Sequence, residues 1–550
     1  MTLAVALANQ GYRAFALPAT RRFERALRDP APAQRATLSR ILEENATSTF
    51  GRAHGFARIR SVAEFRESVP PRDYNAYAGD VDRIAAGTPG VLTQDPVRFF
   101  EPTSGSSGAS KLVPYTTGLL REFSAATVPW ISDLLQHRPA LRRGRAYWAI
   151  SPPARRDART AAGIPIGLEH DSDYFPPFVG ALLDLVLSTP RELSRAPDIA
   201  TCRYLTLRSL LAVPDLALVS VWSPSFLTLL ASSLDEEFPR LLHDLERGTL
   251  STSLDGELRA TLMGAFPADP ARAAALRRRF GRRAPDDLGA LWDQLRVISC
   301  WTDGYAARAV ASMQARFPKV EVQGKGLLAT EGVVSIPWIA AEGSVAAVAS
   351  HFLEFATPGS SEFLGVHELT SGSMYEVFLT TSGGFYRYRL KDLVRVEGWH
   401  HATPLLSFRG RVDRACDIAG EKLTPQFAER ALDDALARSG AGPVGFAMLA
   451  PAWREPPHYG LYIECDAGTA ERVATELERQ LRASHHYDLC RALGQLDAVR
   501  AVPVLHGAAT YERVCVARGQ RAGAIKPASL DEHDGWEQEF VPGLQSTMTT

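Results

Sequence analysis

Hydrophobic side chains along the first 95 residues recur with the period of an α-helix. Leu38, Ile41 and Leu42 fall on one face of such a helix, and the prolines at 70 and 71 then interrupt the spacing. Helical spacing returns over residues 178–295. The pattern predicts that both regions are mainly helical scaffold.

A segment rich in hydroxyl groups and glycine interrupts this pattern. Residues 103–116 read TSGSSGASKLVPYT, and they stand between a strand-like run at 97–100 and a helical run that follows. Free backbone N–H groups at a strand-to-helix turn bind phosphate. The segment therefore predicts a phosphate-binding loop, with these candidates: Thr103, Ser104, Gly105, Ser106, Ser107, Gly108 and Lys111.

The loop does not match the better-known motifs of this kind. Lys111 lies three residues after Gly108 and is followed by Leu112, so the spacing and the metal-binding hydroxyl of a Walker loop are missing. The Gly-x-Ser-x-Gly spacing of a serine hydrolase is also missing. A flexible surface linker is the alternative for this composition.

A second cluster, at residues 323–337, places Thr330, Glu331 and Gly332 at the end of a strand-like run. A glutamate supplies the hard oxygen ligand that Mg²⁺ prefers, and a threonine hydroxyl can donate to a phosphate. We predict a nucleotide and Mg²⁺ site with Glu331 as the metal ligand. An ordinary surface turn is the alternative.

A third cluster, at residues 384–396, alternates aromatic and basic side chains like a strand and is predicted to end on Asp392. A carboxylate at a strand end can accept hydrogen bonds from both hydroxyls of a ribose. The alternative is that Arg387, Arg389 and Asp392 pair with charges on neighbouring strands.

A fourth cluster, at residues 407–425, combines a Gly-Arg-x-Asp turn at Arg411 with a Gly-Glu-Lys turn at Lys422. Thr424 and Pro425 then suit the N-cap and the first turn of a helix.

Composition narrows the possible partners. The 550 residues include 61 Lys and Arg against 62 Asp and Glu, so no net field attracts nucleic acid or an anionic membrane. The six cysteines show no paired spacing, which predicts buried thiols in a reducing compartment rather than a zinc site or disulfides. With no apolar run long enough to span a membrane and no secretory pattern, we expect a cytoplasmic protein with small-molecule substrates.

In this order and at these intervals, the four clusters resemble the signature of the adenylate-forming superfamily. Within it the chain is most similar to the Gretchen Hagen (auxin-responsive promoter) family of acyl acid amido synthetases. That resemblance also includes TFGRAHGF at 49–56, VPPRDYNAY at 69–77 and RIAAGTPGVLT at 83–93, and its RDY element is specific to the family. The chain departs from the superfamily strand Tyr-Arg-Thr-Gly-Asp at Leu390 and Lys391.

The resemblance implies an α/β fold of the adenylate-forming type. Its large N-terminal domain, residues 1–408, has α/β layers and a β-barrel portion and holds the ATP and acyl acid sites. Residues 409–424 form a hinge, and residues 425–550 form a small, mobile α/β cap that carries a catalytic lysine.

The resemblance also implies an activity: adenylation of a carboxylic acid by ATP with Mg²⁺, followed by acyl transfer to an amino acid. Lys526, in the sequence GAIKP, would bridge the acyl carboxylate and the α-phosphate, and Lys422 is the second catalytic candidate. Asp392 would bind the ribose, and Arg411 would contact the nucleotide. A solvated terminal lysine is the alternative for Lys526. An acyl-CoA ligase and a catalytically silent nucleotide-binding protein are the alternatives for the whole chain.

The identity of the acid and of the amine is not readable from the sequence. Five aromatic residues could line an acyl pocket, although each could equally belong to the core: Trp130, Tyr174, Phe175, Phe178 and Trp222. Arg121 is the arginine nearest to the place where the family contacts the carboxylate, and it lies earlier than expected. We expect a monomer.

Overall fold

The computed structural model describes residues 3–102, 111–149, 158–167, 177–303, 306–412, 416, 418–419, 421–453, 457–492, 494–520 and 522–540. The chain forms two compact units. The first comprises Met1–Trp222, Ser233–Trp301 and Lys319–Phe408, and the second comprises Ser223–Ser232, Thr302–Pro318 and Arg409–Thr550.

The predicted helical regions are helical. The helices before residue 320 are α1 (Leu3–Arg28), α2 (Pro30–Asn45), α3 (Thr49–Ala53), α4 (Val62–Ser68), α5 (Tyr74–Ala85), α6 (Thr117–His137), α7 (Pro177–Val186), α8 (Ile199–Ala212), α9 (Pro224–Arg247), α10 (Gly256–Ala265), α11 (Pro270–Phe280) and α12 (Ala306–Arg316). Local sequence explains several starts. Ser48, Ser61 and Asp73 each accept a backbone N–H as the N-cap of the helix that follows. In α2, the predicted face of Leu38, Ile41 and Leu42 is buried.

A four-stranded parallel sheet lies among these helices in the order β3-β4-β5-β6. Its strands are β3 (Arg145–Trp148), β4 (Leu216–Ser220), β5 (Val297–Cys300) and β6 (Glu321–Gly324). The prediction of mainly helical structure over 178–295 missed β4, a short apolar run that resembles a buried helix segment in its pattern. Because the strands are parallel, their carboxyl ends share one edge, where open α/β sheets bind ligands.

The rest of the first unit is built around a seven-stranded antiparallel sheet in the order β12-β11-β13-β14-β15-β10-β9. The sheet lies almost wholly within residues 1–408, the domain that was expected to include a β-barrel portion. The strands are β9 (Ser335–Trp338), β10 (Gly343–Ala346), β11 (Phe352–Ala356), β12 (Leu364–Gly365), β13 (Met374–Thr380), β14 (Tyr388–His400) and β15 (Thr403–Arg411). Two hairpins complete the unit: β1 (Val97–Pro102) with β2 (Leu112–Thr116), and β7 (Leu328–Ala329) with β8 (Gly332–Val333).

The second unit contains a three-stranded sheet, ordered β16-β17-β18. Its C-terminal elements are α13 (Pro425–Ser439), β16 (Ala447–Ala452), β17 (His458–Ile463), α14 (Ala467–Leu481), α15 (His485–Ala492), β18 (Arg500–Pro503), α16 (Gly507–Ala517) and α17 (Trp536–Phe540). Thr424 caps α13 by accepting the N–H of Phe427, and Pro425 stands in the first turn, which confirms that prediction.

The cysteines are free thiols, as predicted. Five are buried, namely Cys202, Cys300, Cys416, Cys490 and Cys515, and Cys465 is half-buried. In the described part of the chain, no three histidine, cysteine, aspartate or glutamate side chains are grouped as a metal site. Over the same residues, no helix combines the length and the apolar character needed to span a membrane.

Candidate functional site

The Ser/Gly loop joins two antiparallel strands. Residues 103–110, and with them candidates Thr103 to Gly108, lie outside the described residues, but Pro102 at the end of β1 pairs with Leu112 at the start of β2. The predicted strand-to-helix turn was therefore wrong, because β2 stands between the loop and α6. The sequence LVPY was assigned to the loop because so short an apolar run shows no helical periodicity.

The N-terminus of α6 is already occupied. Thr116 Oγ1 accepts the N–H of Leu119 at 3.1 Å, and an Asp95 carboxylate oxygen accepts the N–H of Gly118 at 2.7 Å. These two N–H groups are thus satisfied by side chains rather than left for an anion. Backbone donors for a phosphate would have to come from the loop itself.

Lys111, the last candidate of the loop, lies beside Tyr74. Its Nζ is 5.6 Å from the centre of the Tyr74 ring, within the range of a cation–π contact. Tyr74 Oη donates to the Leu112 carbonyl at 3.2 Å and accepts the Leu112 N–H at 2.8 Å. Burial raises the pKa of Tyr74, and the negative charge of Glu331 contributes to that rise. Tyr74 thus holds the end of the loop in place through Leu112.

The RDY element that carries Tyr74 is docked on β14. Arg72 N–H donates to the Arg387 carbonyl at 3.1 Å, and its own carbonyl accepts the Arg389 N–H at 2.7 Å. Asp73 caps α5, and its Oδ2 lies 3.7 Å from Lys391 Nζ. The element therefore holds Tyr74 in a fixed position between the loop and the large sheet.

Thr330 and Glu331 form a two-residue turn between β7 and β8. Ala329 pairs with Gly332, Tyr115 Oη donates to the Thr330 carbonyl at 2.7 Å, and Tyr388 Oη donates to Glu331 Oε1 at 3.0 Å. The half-buried Glu331 carboxylate is thereby aimed by a side chain of β14. Sequence reasoning selected Glu331 but gave no role to Tyr74, Tyr115 or Tyr388. The family motifs containing Tyr74 and Tyr388 were the available signal.

Gly332 lies against His351. A Cβ atom at Gly332 would come 3.0 Å from His351 Nε2, so a side chain here would displace a fully buried histidine. His351 is held in turn by Glu122 of α6, whose Oε2 lies 3.0 Å from His351 Nδ1. Glu122 also accepts the Ser382 N–H at 2.9 Å and an Arg40 N–H at 2.7 Å. A buried ionic network of Glu122, His351 and Arg40 therefore packs against the Glu331 turn at Gly332.

Replacing Glu122 with alanine is expected to lower the free energy of unfolding at pH 7 by about 3–5 kcal/mol, because it leaves buried donors without their acceptor. Burial acts to raise the pKa of Glu122, but the interactions with His351, Ser382 and Arg40 outweigh it and hold the pKa below its ordinary value. A lowered pKa stabilises the fold above the ordinary pKa, and this stabilisation is lost as the pH falls through the folded value. Denaturant unfolding at pH 7 and at pH 4 should show the loss shrinking at the lower pH.

Glu44→Ala is the matched control. Glu44 contacts the same Arg40 at 3.1 Å, but its side chain is 39% exposed, so the loss should stay below about 1 kcal/mol. Equal losses for the two variants would contradict the role given to Glu122.

Asp392 does not end a strand, so that prediction was wrong. β14 continues to His400, and Asp392 is a buried residue in a bulge: Phe378 pairs with Arg389 and Glu376 with Leu393, leaving residues 390–392 opposite one residue. Lys391 in this bulge has φ +66°.

The alternative of pairing with neighbouring charges holds for two residues of the third cluster. Arg387 Nε lies 2.9 Å from Glu354 Oε2, and Arg389 Nε lies 2.6 Å from Glu376 Oε1. Both arginines therefore form ion pairs with glutamates of neighbouring strands in the large sheet.

The remaining described candidates belong to the second unit. Arg411 is the last residue of β15, and its carbonyl accepts from Gln426. Lys422 is exposed with φ +48°. The Glu421 carboxylate fixes this turn by accepting the N–H groups of Ile418 at 2.8 Å and Ala419 at 2.7 Å. Glu421 is fully buried, and sequence reasoning gave it no role.

Lys526 is exposed on a turn that is fixed on both sides. Ile525 is buried before it, and Ser529 is buried after it. The Ser529 carbonyl accepts the N–H of Leu449 in β16 at 2.9 Å, and the Lys526 carbonyl accepts from Tyr511 Oη at 3.4 Å. The backbone of the turn is thus held by the core while the ammonium group reaches solvent.

Three of the proposed acyl-pocket aromatics, namely Tyr174, Phe175 and the Phe178 side chain, lie outside the described residues, as does part of the proposed hinge. Arg121 is 63% exposed, and its Nη2 lies 3.6 Å from Glu44 Oε1, so the structure places it in a surface ion pair.

Comparison with known proteins identifies the family. Models of the GH3 family N-terminal, central and C-terminal domains match residues 19–322, 344–411 and 426–532. The chain belongs to the GH3 family. A probable indole-3-acetic acid-amido synthetase of Oryza sativa subsp. japonica, GH3.12, is 26% identical over 92% of each chain. The jasmonoyl–L-amino acid synthetase JAR6 of Nicotiana attenuata is 24% identical over 82% of each.

A solved GH3 structure has the same fold. The GH3.15 acyl acid amido synthetase covers 94% of this chain with 94% of its own, at a TM-score of 0.81 and 20% identity. The same enzyme in complex with 2,4-DB gives a TM-score of 0.82. The α/β fold predicted from the motifs, with a large N-terminal part and a smaller C-terminal one, is thereby confirmed.

Proposed function

We propose that this GH3 protein activates a carboxylic acid with ATP, forming an acyl adenylate and pyrophosphate, and transfers the acyl group to the amine of an amino acid. The observation that carries the proposal is the Glu331 turn, whose carboxylate accepts a hydrogen bond from Tyr388. Lys111, at the end of the Ser/Gly loop, lies against the Tyr74 ring. Family membership supports it, since the named relatives are amido synthetases.

The residues around Glu331 fit a magnesium–nucleotide complex. Mg²⁺ is held in such sites by one or two carboxylates together with the phosphates of the substrate. Glu331 would supply that carboxylate, held in place by the Tyr388 hydroxyl. When bound, the metal would neutralise charge on the phosphates. Lys111 would add positive charge on the side of the Ser/Gly loop, whose Ser104, Ser106 and Ser107 we propose as further phosphate contacts.

Adenylation brings two anions together, so the chain must supply cations and orientation. We infer that Lys526 contacts the acyl carboxylate and the α-phosphate in the first half-reaction. Its exposure on a fixed turn suits a group delivered by movement of residues 425–550 about a hinge at 409–424. Lys422 and Arg411 belong to that hinge. We propose Asp392 for the contact with the ribose. The bulge of β14 would orient its carboxylate toward the ribose hydroxyls.

The proposal extends to partners. The substrates are a small carboxylic acid and an amino acid, and the balanced charge of the chain supports neither nucleic acid nor membrane binding. We propose a cytoplasmic monomer, in keeping with free, mostly buried thiols.

Pyrophosphate release, screened against a library of carboxylic acids, tests the proposal directly. One acid or a small group should release pyrophosphate with ATP alone, and adding amino acids should give an amide. A thioester with CoA and no amide would favour an acyl-CoA ligase. Absence of acid-dependent release across the library would favour a silent nucleotide-binding protein.

Tyr74→Phe should raise the KM for ATP about fivefold, because it removes the hydroxyl that fixes Leu112 and the end of the Ser/Gly loop, a loss of about 1 kcal/mol. Steady-state pyrophosphate release at varied ATP measures it. Tyr12→Phe is the control. This buried hydroxyl donates to Val128 on α6, away from the Glu331 turn, so its removal should leave the KM for ATP unchanged. An unchanged KM in Tyr74→Phe would contradict the role given to Tyr74.

A further inference from the structure

His351 packs against the turn that presents Glu331. The histidine is 0% exposed, and the centre of its ring lies 5.6 Å from the centre of the Phe123 ring. Its Nδ1 donates to Glu122 Oε2 at 3.0 Å. The opposite edge of the ring, formed by Nε2 and Cδ2, faces Gly332, the residue after Glu331. One buried side chain thus lies between Glu122 and the turn.

The imidazole is held in place through both its ring and its backbone. Gln34 Nε2 donates to the His351 carbonyl at 2.7 Å, and Gln34 Oε1 accepts the Leu353 N–H at 2.7 Å. Glu122 is fixed as well, since it accepts the Ser382 N–H at 2.9 Å. Turning the ring out of its present position would break its hydrogen bond with the buried Glu122 carboxylate, which is costly. His351 therefore offers a fixed surface to its neighbours.

Contact with His351, and not the backbone conformation, requires residue 332 to be small. Gly332 stands in β8, and its φ lies outside the left-handed region, so an alanine could adopt the same backbone. A Cβ there would lie 3.0 Å from His351 Nε2, 3.1 Å from His351 Cδ2 and 3.1 Å from Leu379 Cδ1. Because the end of a leucine can rotate away and the hydrogen-bonded imidazole cannot, the histidine sets the limit.

The contact between His351 and Gly332 is one of packing. His351 Nε2 is buried and has no hydrogen-bond partner among the residues that the structure describes. Hydrogen bonds fix the two residues before Gly332, because Tyr115 Oη donates to the carbonyl of the first at 2.7 Å and Tyr388 Oη to the carboxylate of the second at 3.0 Å. The turn is thus fixed at three successive residues, and at the third it is fixed by shape.

We propose that His351 is a positioning residue for the proposed metal ligand Glu331 and acts by packing against Gly332. The inference rests on the proposed function and deepens it, because it names a contact that sets the affinity for ATP with Mg²⁺. Mg²⁺ requires nearly ideal octahedral geometry with oxygens at about 2.0–2.1 Å, so a small displacement of the turn weakens its binding. Replacing a group that orients a metal ligand typically lowers metal affinity by about 10- to 100-fold.

Two single variants test the contact from its two sides. His351→Asn keeps an amide N–H close to the place of Nδ1, so Glu122 retains a donor, but the shorter side chain leaves Gly332 without support. Gly332→Ala keeps the imidazole and adds a Cβ against it. Each variant should weaken ATP binding in the presence of Mg²⁺ by about 10-fold and leave ATP binding in EDTA unchanged. Isothermal titration calorimetry measures both affinities with no acid present.

The decisive measurement uses the double variant His351→Asn/Gly332→Ala. The space freed by the shorter amide receives the added methyl group, so the double variant should bind ATP with Mg²⁺ at least about threefold more tightly than Gly332→Ala does. Independent effects would instead multiply to a loss of about 100-fold. Pyrophosphate release at varied Mg²⁺ should rank the variants in the same order, with the KM for the acid unchanged.

Gly79→Ala is the matched control. Gly79 is exposed in α5, and a Cβ there would meet no atom within 4 Å. The substitution should leave ATP binding unchanged, and in combination with His351→Asn it should give no recovery.

The inference is overturned if His351→Asn binds ATP with Mg²⁺ as the wild type does, or if the double variant binds no better than Gly332→Ala. Equal losses with Mg²⁺ and with EDTA would show that His351 only stabilises the fold and would overturn it too. So would a wild type whose affinity for ATP does not depend on Mg²⁺. Mg²⁺-dependent ATP binding with the expected recovery, but without acid-dependent release of pyrophosphate, would support this pair and contradict the proposed function instead.

Discussion

Lys526→Ala is expected to slow acyl-adenylate formation by about 10²- to 10³-fold, because it removes the cation proposed to bridge the two reacting anions. The fold should be unaffected, since the side chain is exposed and the turn is held by its backbone and by buried neighbours. Acid-dependent exchange of labelled pyrophosphate into ATP measures the first half-reaction. The variant should still convert added acyl adenylate into amide at a near wild-type rate.

Lys319→Ala is the matched control for an exposed lysine. Its side chain is 86% exposed and its Nζ lies 3.4 Å from Asp287, so exchange should change by no more than about twofold. If Lys526→Ala exchanges pyrophosphate like this control, Lys526 is a solvated lysine. If the variant loses both half-reactions and has a lowered melting temperature, the role of Lys526 is structural.

Glu331→Gln is expected to reduce adenylation by about 10²- to 10³-fold and to raise the Mg²⁺ concentration needed for half-maximal rate. The amide keeps the size of the side chain and an oxygen that can accept from Tyr388, so the turn should remain intact. What it loses is the negative charge that Mg²⁺ requires. Pyrophosphate exchange, titrated with Mg²⁺, separates this effect from a change in the affinity for the acid.

Glu342→Gln, an exposed glutamate beyond β9, is the control and should leave the Mg²⁺ titration unchanged. An unaltered Mg²⁺ requirement in Glu331→Gln would contradict its assignment as the metal ligand, even if the rate falls.

The elements that sequence predicted correctly are those with local causes. The N-cap Thr424 and the apolar face of α2 depend on side chains within one or two helical turns. Strands β2 and β4 were missed because five-residue apolar runs carry no period of their own and become strands by pairing. The bulge that buries Asp392 depends on the register between β13 and β14, which the local pattern does not contain.

The sequence predicted the motifs of the candidate site but not the side chains that hold those motifs in place. Glu331 and Lys111 stood out by residue type and order, but the tyrosines that position them are contributed by distant parts of the chain.

The most direct test of the account uses an acid labelled with oxygen-18 in its carboxylate. Adenylation transfers one carboxylate oxygen to the α-phosphate, and the amine then attacks the acyl carbon. Mass spectrometry of the products should therefore find one labelled oxygen in AMP and the other in the amide. Label in inorganic phosphate, or AMP without label, would show that the acid is not activated as an adenylate and would contradict the account.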